Sequence, residues 1–236
     1  MAVSLNVDLG ELPGEPEELY SIATMVNVAC GGHAGDEASM ERACALARQA
    51  GARLAAHPSY PDRAGFGRTS VGMPSAELAA SVRTQVEALA RVARRVGIPI
   101  EAVKPHGALY HDAARDPAIA AAVVEGIDAA LGIPVALVGP PEGALARLAA
   151  AQGRAYVREG FADRAYGPDG KLVPRTQKGA LITDPAAARA QACRLAGAGT
   201  FETLCVHGDT PGALTIARAV RDALVSAGHL ESQGRA

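Results

Sequence analysis

The chain has 236 residues, 49% hydrophobic and 20% charged, with a formal net charge of -2. That length and apolar content suit one well-buried domain, while the near-neutral charge, 3% aromatics and lack of Trp argue against nucleic acid and anionic membrane as partners. Cys30, Cys44, Cys193 and Cys205 form no C-x-x-C pair, the opening MAVSLNVDLGE has no signal-peptide core, and no long uncharged apolar run occurs; a cytoplasmic protein with buried free thiols is expected.

In chain order, a period-2 run at 3–8 reads as the first strand, and 12–23 reads as a short helix or a loop. Strand-like runs follow at 24–29, 53–57, 100–104, 134–138, 154–158 and 203–207. Helical patterns lie between and after them at 37–50, 75–96, 116–130, 142–151, 185–197 and 211–227. Pro74-Ser75, Asp184-Pro185 and Thr210-Pro211 mark helix starts, and Gly97 and Gly197 mark ends. The repeat is βα, about seven times. Two long connections, 58–74 and 159–184, follow strand carboxyl ends and are rich in Gly, Pro, Asp and Arg; such loops line or cover sites. A doubly wound sheet and a barrel both fit βα repetition. Polar strand ends spread along the whole chain favour the barrel, which draws its site from many strands. Residues 1–228 are expected to form one barrel domain and 229–236 a flexible tail.

Four of the six histidines, His33, His57, His106 and His207, each end a strand-like run beside Gly, Pro or Asp. Asn6 and Asp8 alternate with Leu5, Val7 and Leu9, so they share one side of the first strand, with Glu11 just beyond. Asp36 follows His33 and serves equally as a ligand contact or as the N-cap of the next helix. Arg63 and Arg68 sit in the 58–74 loop and suit an anionic ligand. Lys104, before Pro105-His106, suits polarising a carbonyl, and His106 suits proton exchange near neutral pH. Glu159, Asp163 and Arg164 open the second long loop, where Arg158 and Glu159 stand as a candidate pair; Arg175 and Lys178 add charge further on. Asp209 stands beside His207, where it could orient that ring or bind substrate. The catalytic candidates are Asp8, His57, Lys104, His106 and His207; Asn6, Glu11, His33, Asp36, Arg63, Arg68, Glu159, Asp163, Arg164 and Asp209 are candidates for binding substrate. A metal, if present, would draw on Asp8, His33, His57 and His106, but no closely spaced ligand pair demands one. No G-x-x-x-x-G-K-[ST], G-x-G-x-x-G or G-x-S-x-G motif occurs.

Six segments in order, LNVDLGE, NVACGGHAGD, AHPSYPDRAGFGR, VKPHGALY, EGFADRAYGPDGKLVPR and CVHGD, resemble the LamB/YcsF family, that of the 5-oxoprolinase A subunits. The resemblance spans residues 5 to about 225. It implies a seven-stranded (β/α) TIM-like barrel of the glycoside hydrolase/deacetylase kind. It also implies ATP-dependent opening of 5-oxo-L-proline to L-glutamate, with partner subunits B and C. ATP, with Mg, would then serve the complex; self-association stays open. Two features depart from the family pattern: the 12–26 segment is shorter, and Gly32 stands where a phenylalanine is expected; both are expected to touch the rim of the site. Two rival readings are a metal-dependent amidohydrolase or deacetylase acting alone and a non-catalytic ligand-binding subunit.

Overall fold

A computed structural model describes residues 2–231. Seven parallel strands pair in chain order and close, β7 returning to β1: β1 (Ser4–Leu9), β2 (Met25–Ala29), β3 (Arg53–His57), β4 (Ile100–Val103), β5 (Ala136–Gly139), β6 (Tyr156–Phe161) and β7 (Thr203–His207). The helices are α1 (Glu18–Ile22), α2 (Glu37–Ala50), α3 (Ser75–Val96), α4 (Gly107–Arg115), α5 (Pro117–Leu131), α6 (Ala144–Ala151), α7 (Pro185–Gly197) and α8 (Ala213–Ser226). The expected TIM-like barrel is therefore the observed fold.

Strand alternation sorts the side chains. Leu5, Val7 and Leu9 of β1 join Val26, Val28 and Leu54 in the core between strands and helices. The opposite side of β1 carries Asn6 and Asp8 into the barrel. By register Met25, Ala55, Ala102 and Val138 share that inward side and form a small apolar cluster. Polar side chains occupy the remainder, toward the strand carboxyl ends. None of the described helices is long and apolar enough to cross a membrane.

Local chemistry explains most helix ends. Asp36 and Ser39 form a reciprocal capping box on α2, Asp184 caps α7 ahead of Pro185, and Gly97 ends α3 in the left-handed region. Several expectations are corrected. Helix α4 follows β4 after only three residues, where the sequence reads as an outgoing loop; Gly107, at φ +57°, makes the sharp turn possible. Its Cα lies so close to the 58–74 loop that a Cβ there would stand 2.4 Å from the Gly67 carbonyl oxygen. Strand β6 extends to Phe161, three residues past the expected end, because Glu159, Gly160 and Phe161 pair with β7. Helix α8 starts at Ala213, not at Thr210-Pro211, since the Thr210 hydroxyl donates to Asp163 instead of capping. At the C-terminal side, the His229 carbonyl accepts from the Val3 N–H, the Glu231 N–H donates to the Val3 carbonyl, and Glu231 also pairs with Arg53. Residues 232–236 lie outside the described residues.

Candidate active site

The barrel centre is organised by a buried ammonium. Lys104 Nζ lies 2.8 Å from Asp8 Oδ1, 2.9 Å from Glu159 Oε1 and 3.1 Å from Cys205 Sγ. Lys104, Asp8 and Glu159 are each at most 2% exposed. Asn6 donates to Glu159 Oε1 and to the Thr203 hydroxyl, and Asn27 donates at 2.7 Å to both Asn6 Oδ1 and Asp8 Oδ1. Burial alone would push the Asp8 carboxyl up, but the Lys104 ammonium beside it overrules it and holds it well below the usual carboxylate range. The reciprocal holds for Lys104: burial works against its charge, yet the Asp8 and Glu159 carboxylates keep it firmly protonated. Burial, with Asp8 nearby, pushes the Cys205 thiol well up, so it stays protonated.

Beside this centre three histidines and a carboxylate converge. Glu11 Oε1 lies 2.9 Å from His33 Nε2, 3.4 Å from His106 Nδ1 and 3.8 Å from His57 Nε2. His57 Nε2 and His106 Nδ1 are 3.0 Å apart, and the rings of His33 and His106 stack at 3.6 Å. Burial draws His33 down to about 4 and His106 well below its ordinary value. Burial, reinforced by Asp8, pushes Glu11 up to about 8.

The fourth strand-end histidine belongs to a separate pair. His207 Nδ1 lies 3.0 Å from Asp163 Oδ1, while Asp163 Oδ2 accepts from the His207 backbone N–H and the Thr210 hydroxyl. Burial opposes the charged ring, but the Asp163 carboxylate outweighs it, and His207 is raised above its ordinary 6.5. Asp163, despite burial, is lowered by His207 and Thr210. The His207 ring stacks on Phe161.

A cavity of ≈590 Å³ opens over these groups, lined by Asp8, His57, Lys104, His106, His207 and, at its mouth, by both long loops. Arg68 from the first loop and Arg175 from the second both pair with Asp209. Two guanidiniums sharing one carboxylate leave one positive charge at the mouth. Arg164 also lines the cavity, and it braces the second loop by donating to the carbonyls of Val173 and Ala180.

The structure thus brings Asn6, Asp8, Glu11, His33, His57, Lys104, His106, Glu159, Asp163, Arg164, His207, Asp209 and Arg68 to one end of the barrel. It places Asp36 and Arg63 elsewhere. Asp36 is an exposed helix cap, and Arg63 donates to the carbonyls of Gly31 and Gly35. Glu159 lies inside the barrel rather than in a loop, and Arg158 pairs with Glu202, not with Glu159, because the two side chains leave the strand on opposite sides. Asn27, Thr203 and Cys205, the last expected only as a buried free thiol, complete the centre without being among the sequence's site candidates. A polar residue alternating within an apolar strand, as Asn27 does in MVNVA, is the signal that could have found them. Gly32 faces Ser59 and Gln85 rather than the cavity: a Cβ there would stand 2.3 Å from Gln85 Oε1. In the short 12–26 segment, Glu15 accepts from the Gly10 N–H at 2.6 Å and so buttresses the turn before Glu11.

Replacing Lys104 with Met strands two buried carboxylates. The Lys104→Met variant is expected to lose about 3–5 kcal/mol of unfolding free energy, read from urea titrations at neutral pH. A loss no larger than that of a surface lysine would contradict the central ion pairing.

Comparison with known proteins agrees with this architecture. The chain is 45% identical to the 5-oxoprolinase A subunit of Streptomyces avermitilis and 42% identical to that of Nocardia farcinica, with at least 96% of each chain covered. It superposes on a lactam utilization protein from Thermus thermophilus with a TM-score of 0.88 and 36% identity, over 97% of this chain and 98% of that one. A family 4 carbohydrate esterase from Streptomyces lividans, at 12% identity and a TM-score of 0.53, covering 96% of this chain and 89% of its own, shares the fold. The model of the LamB/YcsF family matches residues 3–233, and the chain belongs to that family.

Proposed function

We propose that this barrel is the A subunit of a 5-oxoprolinase and opens the lactam of 5-oxo-L-proline to give L-glutamate. The names of its relatives and the Thermus lactam utilization protein support the substrate class. The observation that carries the chemistry is that one cavity is flanked by an ionised carboxylate, Asp8, and by an imidazole held toward its protonated form, His207. Two titratable groups pushed apart in this way suit a base and an acid.

In this reading the substrate carboxylate lies toward the cationic mouth at Arg68 and Arg175. Asp8, with His57 beside it at 3.4 Å, takes the proton of the attacking water as its oxygen bonds to the lactam carbon. The carbon–nitrogen bond breaks, and His207 delivers a proton to the departing ring nitrogen. Lys104 keeps Asp8 ionised and supplies positive charge near the developing oxyanion. A five-membered lactam is a stable amide, so energy from ATP is chemically sensible. Phosphorylation of the amide oxygen makes the carbon electrophilic; water adds, the carbon–nitrogen bond breaks to leave glutamyl phosphate, and a second water hydrolyses that acyl phosphate to glutamate and phosphate. We assign ATP, with Mg, to the enzyme assembled with subunits B and C, and a cytoplasmic setting to the complex.

The test is release of glutamate from 5-oxoproline by the chain mixed with subunits B and C, ATP and Mg. The complete mixture is expected to release glutamate, and Asp8→Asn to lower the rate by about 10²–10⁴-fold. No release from the complete wild-type mixture would overturn the reading.

The pH profile tests the acid. A raised His207 is protonated below its folded pKa and loses its proton as pH climbs through that value, above 6.5. The rate is expected to fall along that alkaline limb. Asp163→Asn removes the charge that raises His207, so the limb should move toward lower pH; a limb in the same place would remove His207 from the acid role.

A further inference from the structure

We propose that Glu11, His33, His57 and His106 bind one divalent transition-metal ion, Zn²⁺ being the best fit. The inference goes beyond the ring-opening reading and rests on hydrogen-bond accounting.

His57 Nδ1 lies 2.7 Å from the Lys104 carbonyl oxygen, and His106 Nε2 lies 3.0 Å from the Phe66 carbonyl oxygen. A carbonyl oxygen only accepts, so each of these nitrogens carries its hydrogen. In the neutral rings the opposite nitrogens, His57 Nε2 and His106 Nδ1, are therefore bare. Those two nitrogens face one another at 3.0 Å. Glu11 Oε1 is a further oxygen ligand atom, 3.4 Å from His106 Nδ1 and 3.8 Å from His57 Nε2. Lone pairs converging in a buried space repel unless a cation lies among them. Backbone carbonyls that hold the far nitrogen of each ring and turn the near lone pair inward are the usual outer support of a metal-binding histidine.

The protein does not supply that cation itself. Among the described residues, the ion pairs of Glu11 are with histidines only. Arg63 is engaged by the carbonyls of Gly31 and Gly35, and Arg68 by Asp209. The second cluster of possible ligands, Asp8, Cys205 and His207, differs in this respect, because Lys104 Nζ already contacts Asp8 and Cys205. Charge balance is thus divided: an ammonium serves one cluster, and among the described residues no Lys or Arg pairs with Glu11 in the other.

The spacing also fits. Ligands held about 2.0–2.1 Å from a tetrahedral Zn²⁺ stand about 3.3 Å from each other. The observed separations of 2.9, 3.0, 3.4 and 3.8 Å bracket that value, and one donor atom from each of the four residues falls within 4.8 Å of the others. Three imidazoles and one carboxylate suit Zn²⁺, with Co²⁺, Ni²⁺ and Cu²⁺ as competitors. His57 and His106 also line the cavity, where such an ion would act as a Lewis acid.

The experiment uses untagged, chelator-treated full-length protein. Calorimetric titration with ZnCl₂ is expected to show one equivalent bound, and CoCl₂ to give the visible absorption of a low-coordinate nitrogen and oxygen site. His57→Gln and His106→Gln are each expected to weaken Zn²⁺ binding by more than the roughly 10–100-fold typical of losing an outer-shell partner, with circular dichroism confirming that they fold. Nitrogen-15 spectra of the wild-type histidines read the site without any substitution: Zn²⁺ should shift His57 Nε2 and His106 Nδ1. Three results would each overturn the proposal: no stoichiometric binding, folded variants that bind as well as wild type, or a proton shared by the two nitrogens that persists in excess Zn²⁺. Glutamate release is measured separately, so loss of the metal site leaves the ring-opening reading to its own test.

Discussion

The site is arranged around one charge inside a barrel. Lys104 sends a buried ammonium into the barrel, and Asp8 and Glu159 meet it from strands β1 and β6. An unpaired charge there would be strongly disfavoured. Asn6 and Asn27 bind the carboxylates from the sides and fix which oxygen faces the lysine. Because these residues come from β1, β2, β6 and the position just after β4, the ion pairing depends on barrel closure, and closure places Asp8 at the foot of the cavity.

The two long loops convert this polar floor into an enclosed site. One carries Phe66, whose carbonyl holds His106, and Arg68, which crosses to Asp209. The other carries Arg175, which reaches the same carboxylate. Asp209 therefore ties loops distant in sequence across the cavity mouth. Beneath that clasp the Asp163–His207 pair and the Asp8–Lys104 pair hold opposite proton affinities within one cavity. This separation is what a hydrolytic step on a neutral amide requires.

Much of this was legible in the sequence because strand alternation and helix capping act locally. Asn6 and Asp8 declared their shared side through Leu5, Val7 and Leu9, and Asp184-Pro185 and Gly97 marked helix ends that the fold uses. The strand-end histidines do gather at one end of the barrel. Their division into a three-histidine cluster and a separate His207–Asp163 pair was not legible, since it depends on contacts between residues 22 to 95 positions apart, among them Glu11–His33 and Glu11–His106. Glu159 was hidden for a related reason: beside Arg158 it reads as a charged loop, and only pairing of β6 with β7 turns it inward. Asp36 shows the converse, a conspicuous acid beside His33 that the helix start alone accounts for.

On the proposed ring-opening reading, the cavity above Lys104 receives the lactam. A crystal structure of the chain soaked with 5-oxo-L-proline measures this most directly. The ring is expected inside the barrel mouth, its carbonyl toward Asp8 and Lys104, its nitrogen toward His207 and its carboxylate near Arg68 and Arg175. A lactam bound outside the barrel, or one in the cavity with its carboxylate against Asp8, would contradict it.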